Sequence, residues 1–209
     1  MRHARARLIV FAKAPVGGNV KTRLARDIGM AAAAAWYRRA FIRTRNIVAA
    51  AKLDHEIAAA PSASAMRAAS GARGRLTTQA PGDLGRRMAL AAKQAGGPSL
   101  IFGVDIPGLT PAILRTAREA VQRHDLVLGP ARDGGFYLVG LKTPAHAFRL
   151  YDRVRWSSEH AMADTIANAP KHWRLYLLPM LNDVDQAGDL VGQPRQPAAV
   201  AAWSGCATK

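Results

Sequence analysis

Short runs of almost purely apolar residues recur along the chain, spaced by stretches long enough for helices. The first, R-L-I-V-F-A at residues 7–12, shows no alternation of polar and apolar positions. A strand with one wet face alternates, whereas a strand covered on both faces reads as a continuous apolar run. Similar runs occupy residues 99–104, 125–129 and 136–141, with weaker ones at 55–60, 75–79 and 173–178. Helical stretches lie between them. Residues 30–52 form a long alanine-rich segment, and another helix runs from the G-D-L-G stretch at 82–85 to about residue 95. Thr110 fits an N-cap, with Pro111 at the first helical position of a helix to about residue 123. Residues 144–151 and 158–169 also read as helical, and 61–74 as a loop with a short helix. Strands alternating with helices predict an α/β layered fold with a largely parallel sheet.

The length of 209 residues suits one well-cored domain, taken here as residues 1–192, followed by a peripheral Pro-, Gln- and Ala-rich tail at 193–209. The single cysteine, Cys206, excludes a disulfide framework and a cysteine zinc site. No apolar run reaches the roughly 18–20 residues of a membrane span. The apolar run after the basic N-terminus is too short for a signal peptide and ends at Lys13. A soluble, cytoplasmic protein without membrane partners is expected. The net charge is +16, from 30 basic and 14 acidic residues. The arginines are spread over the whole chain, so the charge predicts no specific nucleic-acid partner. A positive surface does help collect a polyphosphate.

In parallel sheets ligands bind beyond the carboxyl ends of the strands. The distinctive loops fall there: after Ala12, at Asp105, and around Asp183. The first reads F-A-K-A-P-V-G-G-N-V-K-T-R-L over residues 11–24. Its glycines, Gly17 and Gly18, permit close approach to a phosphate, and Lys13, Lys21 and Arg23 supply cations. It is neither a Walker A loop, since Val20 precedes the Lys-Thr pair, nor a G-x-G-x-x-G turn. The second, G-V-D-I-P-G-L at 103–109, places Asp105 where a strand-end carboxylate holds Mg²⁺ through one oxygen. In the third, L-N-D-V-D-Q at 181–186, an extended backbone would point Asp183 and Asp185 the same way, fit to share a divalent cation. The fourth, D-G-G-F-Y-L-V-G at 133–140, reads as a tight turn at Asp133 into a buried strand. No histidine spacing suggests a metal site, and no G-x-S-x-G elbow occurs.

In order, these motifs resemble a bacterial GT-A-type family, the rSAM/selenodomain-associated transferases. The resemblance rests on residues 11–24, 82–88, 103–109, 133–141, Trp156-Ser157 and 178–185, and spans about residues 7–190. That family is similar to the nucleotide-diphospho-sugar transferase superfamily, which includes phospholactate and molybdenum-cofactor guanylyltransferases. The resemblance implies a single GT-A Rossmann-like three-layer sandwich. It also implies a nucleotide site at Ala12, Lys13, Ala14, Gly17, Gly18, Lys21 and Arg23, with Gln79, Gly82, Asp83 and Gly85 near base and ribose. Asp105 would be the principal ligand of Mg²⁺ (or Mn²⁺), completed by Asp183 or Asp185. The chain departs from the pattern at 16–19, where V-G-G-N replaces V-P-G-R, and at Gly108, where a second acid is usual.

The expected activity is transfer from an activated nucleotide, with Lys21, Arg23, Asp105 and Asp133 as catalytic residues. Nucleotidyl transfer from a nucleoside triphosphate to a small phosphorylated acceptor leads. Glycosyl transfer from a nucleotide sugar, with Asp133 as base, is the alternative, and a non-catalytic nucleotide-binding protein is a further one. The expected partners are the nucleotide and a small-molecule acceptor, with a homodimer left open.

Overall fold

The computed structural model describes residues 6–18, 20–184 and 187–190. The expected tail at 193–209, Cys206 and Asp185 lie outside the described residues.

The chain runs β1 (Arg7–Lys13), α1 (Thr22–Ile28), α2 (Met30–Ala51), β2 (His55–Ala60), α3 (Ala63–Ser70) and β3 (Leu76–Thr78). It continues through α4 (Leu84–Ala95), β4 (Ser99–Phe102), α5 (Pro111–Arg123), β5 (Leu126–Pro130), β6 (Phe136–Leu141), α6 (Ala147–Leu150), α7 (Ala161–Asn168) and β7 (Leu175–Leu177). Short 3₁₀ turns cover Pro144–His146 and Ala187–Leu190. The strands form one seven-stranded sheet, ordered β3-β2-β1-β4-β6-β5-β7. Neighbours pair in parallel except along β6, which runs antiparallel to both β4 and β5. The sheet is therefore mostly parallel, as the apolar runs predict.

The reversed strand follows from the turn before it. Gly134 has φ +82°, and a Cβ there would lie 2.1 Å from the Glu159 carbonyl oxygen. Only glycine fits such a turn, which returns the chain beside β5 as a hairpin.

Alternation along β1 divides the core. Leu8, Val10 and Ala12 join Tyr37, Phe41 and Val48 of α2 and Leu114, Ala117 and Val121 of α5. Ile9 points to the other face, where it meets Met88, Ala89 and Ala92 of α4 and Leu150 of α6. Helices on both faces of the sheet make the three layers.

The helix ends are chemically fixed. Ser62, Asp83 and Thr110 accept hydrogen bonds from Ala65, Arg86 and Ile113 amides, at 3.1, 2.7 and 3.3 Å. Such N-caps stabilise a helix by about 1 kcal/mol each. Gly71 and Gly96 close α3 and α4 in the left-handed conformation.

The strand order reverses between β1 and β4. From β1 the chain builds outward through β2 and β3, then returns to the other side of β1. That switch point opens a crevice at the carboxyl ends of β1 and β4.

Candidate functional site

The loop after β1 and the loop after β4 meet at this crevice. Lys21 stands at the N-cap of α1 with φ 49° and ψ 47°, a left-handed conformation costly for a side chain with a Cβ. Its ammonium lies 2.5 Å from Asp105 Oδ2 and 5.9 Å from the centroid of the Trp36 ring. The Lys21 side chain is only 7% exposed, against 29% for Asp105. The pair is thus walled in on the lysine side and open on the carboxylate side.

Asp105 is placed by what surrounds it. A Cβ on Gly103 would press on Asp105 Oδ1 at 2.9 Å, so glycine leaves the room this carboxylate occupies. The Val184 amide donates to the Asp105 carbonyl at 3.2 Å, which brings Asp183 beside Asp105. Ala131 and Leu181 bridge in parallel, fastening that third loop to the end of β5. The backbones of two of the three expected metal ligands therefore run side by side. Among the described residues no three His, Cys, Asp or Glu gather as a metal cluster. Mg²⁺ commonly takes one or two carboxylates, with water and substrate phosphates filling its other positions. Asp105 and Asp183 fit that donor set.

The expected phosphate loop is open at its glycines. Gly17 and Gly18 are exposed, and a Cβ on either would meet nothing within 4 Å. Lys13 and Arg23 are exposed, Arg23 on the first turn of α1. Ala12 and Ala14 are buried, and the Ala14 amide donates to the Ala60 carbonyl at 2.7 Å. They shape the loop through their backbone.

Sequence reasoning missed the part of α2 in this arrangement. The Lys13 amide donates to Tyr37 Oη at 2.8 Å, and Arg38 donates to the Pro15 carbonyl at 3.4 Å. One to two turns on, Thr44 Oγ1 donates to the Val104 carbonyl at 3.1 Å, and Arg43 donates to the Pro107 carbonyl. One helix thus holds both loops of the crevice. Burial pushes the Tyr37 phenol well above its usual range, against the Lys13 amide and with the Asp105 charge adding to the rise. Tyr37 therefore stays neutral and serves as a hydrogen-bonding post. Their seven-residue spacing puts Tyr37 and Thr44 on one helix face, but the same spacing describes a buried face and gives no sign of the hydrogen bonds.

The expected base and ribose segment is built differently. Gln79 Nε2 donates to the Ala58 carbonyl at 2.8 Å and the Ala12 carbonyl at 3.4 Å, and Oε1 accepts from Arg87 at 3.0 Å. Asp83 caps α4. Gly82 has φ +113°. Gly85 is buried, and a Cβ there would meet Tyr151 Cβ at 2.8 Å and Trp156 Cζ2 at 2.9 Å. Asp133 sits exposed on the β5–β6 hairpin, at the same sheet edge as Asp105, and accepts from the Gly135 amide at 2.9 Å. Tyr137 is buried beneath Gly129, and its hydroxyl donates to the Pro179 carbonyl at 3.0 Å.

Among the described residues no helix is long and apolar enough to cross a membrane. No curated protein sequence matches the chain. A protein of Desulfovibrio desulfuricans G20, provisionally described as a nucleotide-diphospho-sugar transferase, is 28% identical with a TM-score of 0.82, over 90% of this chain and 85% of its own. A nucleotidyl transferase of Methanothermobacter thermautotroptrophicus shares the fold at 17% identity and a TM-score of 0.57, over 90% and 95%. So does Rv0371c of Mycobacterium tuberculosis, solved in complex with manganese, at 16% identity and a TM-score of 0.55, over 90% and 96%. The signature of a family described as uncharacterized protein conserved in bacteria (DUF2064) matches residues 43–158, from the middle of α2 to the turn before α7. With more than half its length inside that signature, the chain belongs to this bacterial family, built on the nucleotide-diphospho-sugar transferase fold.

Proposed function

We propose that the chain is a divalent-metal-assisted transferase acting on an activated nucleotide, and specifically a nucleotidyltransferase that uses a nucleoside triphosphate. The observation that carries this reading is the meeting of Lys21 and Asp105 at 2.5 Å across the switch-point crevice, with the open Gly17-Gly18 loop leading into Lys21. The transferase class is further supported by the 28%-identical Desulfovibrio neighbour.

In this reading an oxygen of a phosphorylated acceptor attacks the α-phosphorus and pyrophosphate leaves. Such a step needs alignment and charge neutralisation rather than a covalent nucleophile. Lys13, Lys21 and Arg23 would receive the phosphates, with the backbone of Ala12, Ala14, Gly17 and Gly18 shaping the cradle. Asp105 and Asp183, with Asp185 beyond the described residues, would hold Mg²⁺ or Mn²⁺. The ion would supply charge neutralisation at the phosphates. Base and ribose would lie near the backbone of the segment bearing Gln79, Gly82, Asp83 and Gly85, whose side chains the fold already uses.

The description of the Desulfovibrio neighbour favours a second reading, glycosyl transfer from a nucleotide sugar. There an acceptor hydroxyl attacks the anomeric carbon, a nucleoside diphosphate leaves, and Asp133 takes the hydroxyl proton. A donor screen separates the two. The protein is given Mg²⁺ and a pool of phosphorylated and hydroxyl acceptors, with each nucleoside triphosphate or nucleotide sugar in turn. Pyrophosphate release with one triphosphate is the expected result. Release of a nucleoside diphosphate from a nucleotide sugar would replace it with the second reading. Inertness toward every donor would overturn both.

A further inference from the structure

We propose that Lys21 is the resident cation of the Asp105 carboxylate and yields it only when nucleotide phosphates take up its ammonium, so that metal and nucleotide load together. This rests on the reading of the crevice as a metal–nucleotide site, and adds to it the order in which that site fills.

The two oxygens of Asp105 have different surroundings. Oδ1 leans back over Gly103, where a Cβ would stand 2.9 Å away. Oδ2 carries the Lys21 ammonium at 2.5 Å. Mg²⁺ binds a carboxylate oxygen at about 2.0–2.1 Å and repels a second cation on the same oxygen. Lys21 and a divalent ion are therefore competitors for Oδ2. The competition is strong because the Lys21 side chain is 7% exposed and its ammonium faces the Trp36 ring, so little water replaces its counter-ion.

The same lysine has a second destination. It ends the open loop that carries Gly17 and Gly18, and its left-handed backbone forms the junction between that loop and α1. A phosphate settling in the loop offers the ammonium oxygens bearing more negative charge than one carboxylate. Transfer of Lys21 to the phosphate uncovers Oδ2 at the moment a metal is needed there. By linkage, the metal in turn tightens the nucleotide by the same factor. A lysine that only touched phosphate would leave binding of the metal alone unchanged, so the sign of one measurement separates the two roles.

Binding of Mn²⁺ alone, followed by electron paramagnetic resonance, is compared in wild type, Lys21→Met, Arg23→Met and Asp105→Asn. The expected result is tightening by about tenfold or more in Lys21→Met. Arg23→Met, which removes one positive charge from the exposed surface of α1, should change the affinity by no more than about fivefold. Asp105→Asn should lose the ion. Unchanged or weaker Mn²⁺ binding in Lys21→Met, or equal tightening in Arg23→Met, overturns the proposal while leaving the metal site standing. No Mn²⁺ binding in wild type and Lys21→Met, with or without pyrophosphate, overturns the metal site itself.

A measurement on the unaltered protein guards against misfolding of the variant. The Lys21 ammonium signal in ¹⁵N-edited spectra, assigned with Lys21→Arg, should move when Mg²⁺ and pyrophosphate are added together and stay put with Mg²⁺ alone. Displacement by Mg²⁺ alone, or no displacement by both, overturns the proposal.

Discussion

Two parts of the carboxyl edge of the sheet carry motif residues, and they use them in opposite ways. In the crevice between β1 and β4, Lys21 and Asp105 face each other and the Gly17-Gly18 loop is open, while α2 holds the backbone from behind through Tyr37 and Thr44. At the start of α4, the side chains are consumed by the fold. Gln79 links β1, β2 and α4, Asp83 caps a helix, and Gly85 lies beneath Tyr151 and Trp156. A motif residue can be present for chemistry or for construction, and its partners tell which. Where the supporting work is done by other residues, the motif side chain is left for a ligand.

The largest expected effect is in the crevice. Asp105→Asn should lower turnover by about a hundredfold or more, because a lost metal ligand removes several kcal/mol of charge stabilisation. Steady-state kinetics with the donor found by the screen checks this, and near-normal turnover would break the comparison on the crevice side. Next comes Gly85→Ala, which drives a methyl into Tyr151 and Trp156. It should destabilise by about 1–3 kcal/mol in denaturant unfolding, while the folded fraction keeps its nucleotide affinity. Lost affinity without lost stability would make Gly85 a ligand-contact residue.

Asp83 gives a finer test. Asp83→Ala should cost about 1 kcal/mol of stability, and Asp83→Ser, which can still cap, should restore most of it. Full stability but lost turnover in Asp83→Ser would move Asp83 from construction to chemistry. Tyr151→Phe probes the core under Gly85. The Tyr151 hydroxyl is fully buried, has no hydrogen-bond partner among the described residues, and burial pushes its pKa far above the usual phenol value. Its removal should be neutral or stabilising by up to about 1 kcal/mol, read as an unchanged or higher Tm. A clear loss would reveal a partner for the hydroxyl.

The smallest effect concerns the segment that carries Trp156. Arg155 donates to Asp164 from its backbone amide and from two guanidinium nitrogens, at 3.0, 2.9 and 2.7 Å. Those hydrogen bonds lower the Asp164 carboxyl from 3.8 to about 2. A carboxyl depressed in the folded state contributes stability above its unfolded value and loses it as pH falls through its folded one. Wild type should therefore lose this contribution progressively between pH 3.8 and about 2. The difference in unfolding free energy between wild type and Asp164→Asn should shrink over that window. A pH-independent difference would show that the pair does not fasten the segment.

Some of this was legible because its cause is local. The run at 7–12 announced a doubly covered strand, and Thr110 with Pro111 announced a helix start. The Asp133-Gly134-Gly135 turn contained the signal for the antiparallel strand, since a tight hairpin returns a strand beside its predecessor. Other features have no local signature. The partners of Gln79 are carbonyls 21 and 67 residues away, and a lone glutamine reads the same whether it bonds a base or a strand. Tyr37 and Thr44 sit in an alanine-rich helix whose pattern speaks of burial rather than hydrogen bonding.

By itself the sequence determined the layered α/β fold and the loops that bear charge, and it offered Lys13, Lys21, Arg23, Asp105, Asp133, Asp183 and Asp185 as candidates. Apolar periodicity, capping and turn chemistry act between residues a few positions apart. Only the tertiary structure decided which charges meet. The 2.5 Å approach of Lys21 to Asp105 joins residues 84 positions apart, across two strands set side by side by the order of the sheet. Their distance depends on packing of α2 against both loops, which no local pattern records.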